Sequence, residues 1–286
     1  MTNKLCLLAL AATLLTSCHT INTVLKSNDR EYKFEVAKRM YAEGKYGNAY
    51  IVLDNILPSM RNTKPGDEAL FLAGMCKYYS QDYDAASEIF KRYYNRSYPL
   101  GQFVDEARYY SALAYYESTY PARLDQSGTY DAMREIQNAM EQNPDSKYYD
   151  ALKDMLFQLQ ERLVEKEYLA AKLYFDLGDY FLNCLQGGSN YEACVVTAQN
   201  AIREYPYSPR KEDFAILVLR AKFELAQSSV ESKKFERYTD TVDEYYGFIN
   251  EFPQSRFLND AKQIYEKSEK ELRSQRLQKY NPDDSI

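Results

Sequence analysis

The chain has 286 residues, of which 45% are hydrophobic and 27% charged, with a formal net charge of −6. The acidic balance excludes the basic surface that nucleic-acid binding requires, whereas the hydrophobic content suffices for a buried core. Glycine and proline are scarce, at 10 and 9 residues, which favours helices, and 29 tyrosines without any tryptophan make the composition unusual.

The first residues resemble a secretion signal. Lys4 precedes an apolar run from Leu5 to Leu15, which is too short to span a bilayer and is typical of a signal-peptide core. The run ends in Leu15-Thr16-Ser17-Cys18, the pattern of a bacterial lipobox, in which the cysteine is acylated and becomes the first mature residue. We therefore predict lipidation, as by palmitate, at Cys18. A short buried helix, or an ordinary signal peptide with a chance cysteine, is the alternative.

Two segments share one pattern of small and aromatic residues at a displacement of 37 positions. The first pattern is Ala37, Tyr41, Gly44, Tyr46, Ala49, Leu53, Ile56, and the second is Gly74, Tyr78, Gln81, Tyr83, Ala86, Phe90, Tyr93. Three less regular copies follow. Those that begin at Tyr109 and Ala171 are interrupted by the insertions 124–128 and 186–190. Such self-similarity is the signature of a repeat protein.

The residue types of the repeats predict how their helices pack. Small residues are expected where the two helices of a hairpin approach closely, and large residues are expected to fill the space toward the next hairpin. The small positions are Ala37, Gly74 and Ala112 on the first helix and Ala49, Ala86 and Ala132 on the second, and the large positions are Leu53, Phe90 and Ile136. Since one hairpin cannot bury its apolar face alone, stacked hairpins must form the core.

Three matching endings mark boundaries between helices: Asn143–Ser146, Tyr205–Ser208 and Phe252–Ser255. Proline prevents the preceding residue from staying helical, and the serine two positions later can cap the next helix. The sequence therefore predicts an all-α, tetratricopeptide-like helical-hairpin solenoid of about five repeats.

These patterns divide the chain into four segments. We predict a lipoprotein signal peptide at 1–17, a tether at 18–28, the repeat domain at 29–272 and a polar tail at 273–286. Since Cys184 and Cys194 flank a Gly-rich insertion, they could form a disulfide in an oxidising compartment or remain two helix-packing thiols. Cys76, in a strongly helical stretch, is expected in the core.

An aromatic stripe is the candidate binding site. In arrays of this kind the first helix of each hairpin lines the concave side, and residues seven apart share one side of a helix. The candidate peptide-binding residues are Phe34, Tyr41, Phe71, Met75, Tyr78, Tyr79, Tyr109, Leu113 and Tyr116. Their rings offer a large contact area, and tyrosine adds a hydroxyl for peptide backbone groups. The alternative is that this stripe belongs to the core.

Features of catalysis are missing from the sequence. The single histidine, His19, directly follows the predicted lipidation site, which is a poor position for a general base or a metal ligand. No Gly-rich phosphate loop follows a strand pattern, and the acidic residues are typical of solvated helix faces. We therefore predict no enzymatic activity, no cofactor and no metal.

Four stretches resemble the BamD family, the tetratricopeptide lipoproteins of the outer-membrane β-barrel assembly machinery. They are the lipobox at 15–18, the first hairpin from Ala37 to Leu57, the run from Tyr130 to Tyr148, and the segment from Leu163 to Phe175. The resemblance extends over nearly the whole mature chain, and the long, tyrosine-rich form indicates a Bacteroidetes-type member.

The resemblance implies a non-catalytic subunit on the periplasmic face of the outer membrane, held in the bilayer by acyl chains on Cys18. Its implied partners are the periplasmic domains of the barrel-forming subunit BamA and unfolded outer-membrane β-barrel proteins. The insertion 185–190 lengthens the hairpin at which family members contact BamA, and Thr197 occupies a position where a basic residue is expected. The resemblance therefore implies BamA as a partner, but it does not imply any particular pair of charged residues between the two proteins.

Two other functions remain open at this point. A periplasmic adaptor for envelope or division enzymes could use the same hairpins. A glycan-binding helical lipoprotein is the second alternative, although such proteins usually stack sugars on tryptophan.

Overall fold

The structure, a computed structural model, describes residues 21–180 and 189–280. These residues form helices and no β-strand, and consecutive helices pack as pairs, which confirms the all-α, tetratricopeptide-like fold. The chain divides into two compact units, Met1–Leu159 and Gln160–Ile286. No helix within the described ranges has both the length and the apolar character needed to cross a membrane.

The first unit opens with a helical segment at residues 21–26. Its helices are α1 (Arg30–Ala42), α2 (Tyr46–Ile56), α3 (Lys64–Tyr79), α4 (Tyr83–Arg92), α5 (Val104–Glu117), α6 (Ser127–Gln142) and the start of α7 (Tyr149–Leu177). A short 3₁₀ helix, Leu57–Met60, follows α2, and a π-helical turn, Tyr93–Ser97, follows α4.

Among the residues that the structure describes, the second unit holds the remainder of α7 and four further helices. They are α8 (Asn190–Glu204), α9 (Lys211–Gln227), α10 (Glu231–Glu251) and α11 (Leu258–Tyr280). Helix α11 continues past residue 272, with Leu272 buried and Arg273 paired with Glu269 at 3.6 Å. The segment predicted as a tail therefore begins inside this helix, and residues 281–286 lie outside the described ranges.

The small and large positions that the repeat pattern assigns to helix packing are all buried. The small positions of both helices and the large positions at Leu53, Phe90 and Ile136 are inaccessible to solvent. At Gly74 a Cβ atom would lie 2.5 Å from the ring of Phe90. Helices α3 and α4 thus approach each other closely at Gly74, which has no Cβ atom, as the repeat pattern predicts.

The first two hairpins turn in the same way. Gly44 and Gln81 adopt the left-handed conformation, with φ of 75° and 61°. In each turn the next backbone N–H donates to the carbonyl oxygen five residues earlier, at 2.8 and 3.0 Å. This arrangement satisfies the last carbonyl groups of α1 and α3, and it starts the second helices at equivalent tyrosines, Tyr46 and Tyr83.

The three proline-containing endings also form one shared turn. In each, the serine N–H donates to the carbonyl oxygen three residues earlier at 3.1 Å. The hydroxyl oxygens of Ser146, Ser208 and Ser255 accept from the N–H two residues later, at 3.0, 3.2 and 2.9 Å. The predicted helix stop is thereby confirmed. Each serine accepts its hydrogen bond within the turn before the next helix, and the N-cap of α9 is Arg210, not Ser208.

Several predicted features fall outside the described residues. These are the signal peptide, Cys18, Cys184 and most of the insertion at 185–190. Cys76 and Cys194 are buried, and burial raises the pKa of each thiol to about 12. The pairing of Cys194 with Cys184 stays a prediction.

Candidate functional site

The nine candidate binding residues all lie in the first unit but do not share one environment. Phe34 and Met75 are each 5% exposed and belong to its hydrophobic core. The ring of Phe71 stacks on Phe103 with centroids 4.6 Å apart and is half-buried. For these three residues the structure favours the alternative that the stripe is core.

The other six candidates retain access to solvent. They are Tyr41, Tyr78, Tyr79, Tyr109, Leu113 and Tyr116. Leu113 and Tyr116 pack on the core between α5, α6 and α7, and the Tyr116 hydroxyl donates to Gln158 Oε1 at 2.5 Å. The four remaining tyrosines belong to a larger set of rings.

Three helix ends bring the first rings of this set together. Tyr41 lies in the last turn of α1, Tyr46 begins α2 and Tyr79 ends α3. The Tyr46 and Tyr79 rings stack with centroids 5.0 Å apart, and Tyr41 lies 5.5 and 6.1 Å from them. Tyr79 is 45% exposed, so this cluster offers an open ring face.

Tyr78 connects this cluster to rings on α4 and α5. Its ring centroid lies 5.5 Å from Tyr79, 5.6 Å from Tyr83 and 5.4 Å from Tyr110. Tyr83 occupies, one repeat later, the position that Tyr46 has in the first hairpin.

Helix α5 and the loop before α7 complete the set. Tyr109 lies 5.3 Å from Tyr110, and its ring stacks on Tyr148 at 4.2 Å. The eight rings joined by these contacts are called the tyrosine surface: Tyr41, Tyr46, Tyr78, Tyr79, Tyr83, Tyr109, Tyr110 and Tyr148. All eight are half-buried or exposed.

Folding raises the pKa of four hydroxyls of the tyrosine surface. Burial raises the pKa of Tyr41 and Tyr78, and it raises the pKa of Tyr110 to about 12. The negative charge of Glu117 also raises the pKa of Tyr78 and, after burial and Tyr148, that of Tyr109. These four hydroxyls therefore remain protonated at neutral pH and can both donate and accept hydrogen bonds.

These pKa shifts predict a steep loss of stability in alkali. A pKa raised by folding contributes stability that is fully present below the unfolded value of about 10 and is lost as the pH rises through the folded value. Between pH ~10 and ~12 we expect the phenolate absorbance to increase and the helical circular dichroism to decrease over the same pH range. Full titration near pH ~10 with the helices intact would contradict the burial of these hydroxyls.

Four members of the tyrosine surface were not among the predicted site residues. Tyr46 and Tyr83 are matched positions of the repeat, directly after the left-handed turns. Tyr110 adjoins Tyr109, and Tyr148 follows the ending that contains Ser146. The matching of positions between repeats could have indicated Tyr46 and Tyr83. A search for residues seven positions apart on the first helix of each hairpin finds none of the four.

A polar cluster joins helices α4, α5 and α6. Glu135 on α6 accepts from the Tyr94 hydroxyl at 2.9 Å and from Ser111 at 3.0 Å through Oε1, and its Oε2 pairs with Lys91 Nζ at 2.8 Å. Lys91 also donates to the Tyr115 hydroxyl at 2.9 Å. One carboxylate thus connects three helices, two of which carry tyrosines of the surface.

Comparison with known proteins identifies the family. No curated protein matches the chain. The family model described as YfiO, outer membrane lipoprotein, matches residues 26–186, more than half of the chain and every residue of the tyrosine surface. This chain therefore belongs to the YfiO family of outer membrane lipoproteins, the BamD-like family that the sequence resembles.

Proposed function

We propose that this protein is a non-catalytic lipoprotein subunit of the outer-membrane β-barrel assembly machinery, on the periplasmic face of the membrane. It scaffolds the barrel subunit BamA and receives unfolded outer-membrane β-barrel proteins. Family membership supports the outer membrane as its location, and the tyrosine surface is the observation that carries the binding role. The tyrosine-rich composition supports a Bacteroidetes-type member.

The tyrosine surface suits an extended peptide with aromatic side chains. Tyrosine rings give a large contact area at low conformational cost, and their hydroxyls can bond the unpaired backbone groups of a strand. Two ring pairs, Tyr46 with Tyr79 and Tyr109 with Tyr148, are already stacked. Because these rings are ordered beforehand, little further freedom is lost on binding.

Glu117 is an exposed acidic residue beside the tyrosine surface. Its charge acts on the hydroxyls of Tyr78 and Tyr109, so a C-terminal carboxylate placed there would be repelled. We infer that the aromatic side chain of a targeting strand contacts the rings while its terminal carboxylate points away from Glu117.

Calorimetric titration with a peptide that ends in an aromatic residue tests this binding role. Tyr79→Ala and Tyr41→Ala are each expected to weaken binding about tenfold or more, because aromatic anchors carry most of the energy of an interface. Tyr207→Ala is the matched control, since Tyr207 is 97% exposed and lies outside the tyrosine surface. Unchanged affinity in both surface variants would refute the assignment of the site.

Affinity purification of the acylated protein in mild detergent tests the partner. Co-purification of the barrel subunit is the expected result. Recovery of peptidoglycan synthases without the barrel subunit would instead favour an adaptor for envelope enzymes.

The anchor is tested on the N-terminus of the mature protein. Its mass is expected to correspond to a chain that begins at an acylated Cys18, and Cys18→Ser is expected to move the protein out of the membrane fraction. An N-terminus processed at another residue would exclude this anchor.

A further inference from the structure

We propose that one face of the first unit lies directly on anionic phospholipid, with Leu100 inserted among the lipid chains. The face consists of residues 21–26, Ser59–Lys64 and the loop Tyr98–Gly101. The inference goes beyond peptide and partner binding, and it rests on the proposed anchor at Cys18.

The chain is packed onto the first hairpin almost from the anchor onward. Val24 is 3% exposed and shares a hydrophobic core with Met60, and Ile21 packs against the same core. Cys18 precedes Ile21 by only three positions in the sequence, a span of at most about 11 Å. An acylated Cys18 would therefore hold this side of the hairpin against the bilayer, because too little chain is left for a free tether.

Hydrogen bonds tie the start of α1 and the loop that carries Leu100 to Ser59 and Met60, and Met60 lies in the same core as the N-terminal segment. Arg30 Nη1 donates to the Ser59 carbonyl oxygen at 3.4 Å, and the Tyr98 hydroxyl donates to the Met60 carbonyl oxygen at 3.4 Å. Lys64 and Leu100 line the same surface cleft. The anchored end and this loop are thus neighbours within one unit.

The loop presents Leu100 on a rigid support. The buried hydroxyl of Tyr93 donates to Asp67 Oδ1 and accepts from the Phe103 N–H at 3.1 Å. The Tyr98 N–H donates to the Tyr93 carbonyl oxygen at 2.8 Å. Leu100 itself is 98% exposed, so the loop holds a whole leucine side chain in water although its backbone is fixed. Such a side chain suits a membrane interface, where it would be covered by acyl chains.

The charges beside the loop complement an anionic lipid surface. Two adjoining clefts are lined by the basic residues Arg61, Arg92 and Lys64 and by the acidic residues Asp54 and Asp67. The Asp67 carboxylate already accepts from the Tyr93 hydroxyl and from the Gln102 N–H. The three segments of the face themselves carry Lys26, Arg61 and Lys64 and no acidic residue. The face is therefore locally basic in a chain whose net charge is −6, which favours lipid phosphate groups.

A single-tryptophan reporter tests this contact, since the chain contains no tryptophan of its own. The acylated Leu100→Trp variant is reconstituted in vesicles of phosphatidylethanolamine and phosphatidylglycerol, with and without brominated acyl chains. Tyr207→Trp is the control, because Tyr207 has a nearly equal exposure of 97%. We expect a blue-shifted emission that brominated lipid quenches for Leu100→Trp, and a water-like, unquenched emission for Tyr207→Trp.

The other outcomes would overturn the inference. Lipid contact is contradicted by water-like emission from Leu100→Trp or by equal quenching of both reporters. It is also contradicted by a blue shift without bromine quenching, since that would indicate a protein surface over Leu100. If the mass of the protein shows acyl groups on Cys18 and the reporter still fails, only this inference falls. If Cys18 carries no acyl group, the proposed anchor falls as well.

The electrostatic part is tested on the unacylated Cys18→Ser protein by co-sedimentation with vesicles. Arg61→Gln and Lys64→Gln are each expected to weaken binding to phosphatidylglycerol-containing vesicles about fivefold, with no change on phosphatidylcholine alone. Equal effects on both kinds of vesicle would contradict recognition of anionic lipid.

Discussion

Replacing Phe90 by alanine is expected to lower the free energy of unfolding of the first unit by about 3–5 kcal/mol. The Phe90 ring is fully buried and lies against Gly74, where α3 and α4 meet. The truncation removes apolar contacts and leaves a cavity that a helix pair of fixed spacing cannot close. Urea unfolding followed by circular dichroism measures the loss, and Val196→Ala at a half-exposed position should change stability by less than about 0.5 kcal/mol.

A double-mutant cycle separates this close approach from a general loss of packing. Gly74→Ala alone is expected to cost about 1–3 kcal/mol, because the new methyl group would overlap the Phe90 ring. Combined with Phe90→Ala it should cost much less, since the methyl group then occupies the vacated space. Equal costs in both backgrounds would mean that Gly74 and Phe90 are not in contact.

Replacing Glu135 by alanine is expected to cost about 2–4 kcal/mol, because it leaves Lys91 without its carboxylate and two hydroxyls without their acceptor. The cost exceeds that of a surface pair since the Glu135 side chain is only 12% exposed. Asp131→Asn is the matched control. It removes the exposed pair of Asp131 with Arg134 on the same helix and should cost less than about 1 kcal/mol.

The same variant tests whether the polar cluster supports the tyrosine surface. Glu135 bonds to Ser111 on α5, the helix that also carries Tyr109 and Tyr110. Glu135→Ala is therefore expected to weaken peptide binding as well.

Replacing both partners of the ion pair, by Glu135→Leu with Lys91→Met, should restore much of the stability because no charge is left unpaired. If the double variant were as unstable as Glu135→Ala, the ion pair would not be the cause.

The sequence alone determined the helical hairpins and their closest contacts. The repeat of small and large residues depends only on helical period and side-chain size, so Ala37, Gly74 and Phe90 could be assigned to the core directly. The proline-containing turns are equally local, because each is set by the proline and the serine that follows it. The Cys18 anchor and the partner proteins were also inferred from sequence, and they stay predictions.

Only the tertiary structure decided which aromatic residues face solvent. Phe34 and Tyr41 are seven positions apart on α1, yet Phe34 is buried whereas Tyr41 is only half-buried. The helical period places Phe34 and Tyr41 on the same side of α1. It does not indicate how far along α1 the neighbouring helix extends, and therefore which of the two residues that helix covers. Tyr46 and Tyr148 joined the tyrosine surface through contacts between elements distant in sequence. Exposure and ring stacking depend on how helices meet in space, and a period along one helix carries no information about that.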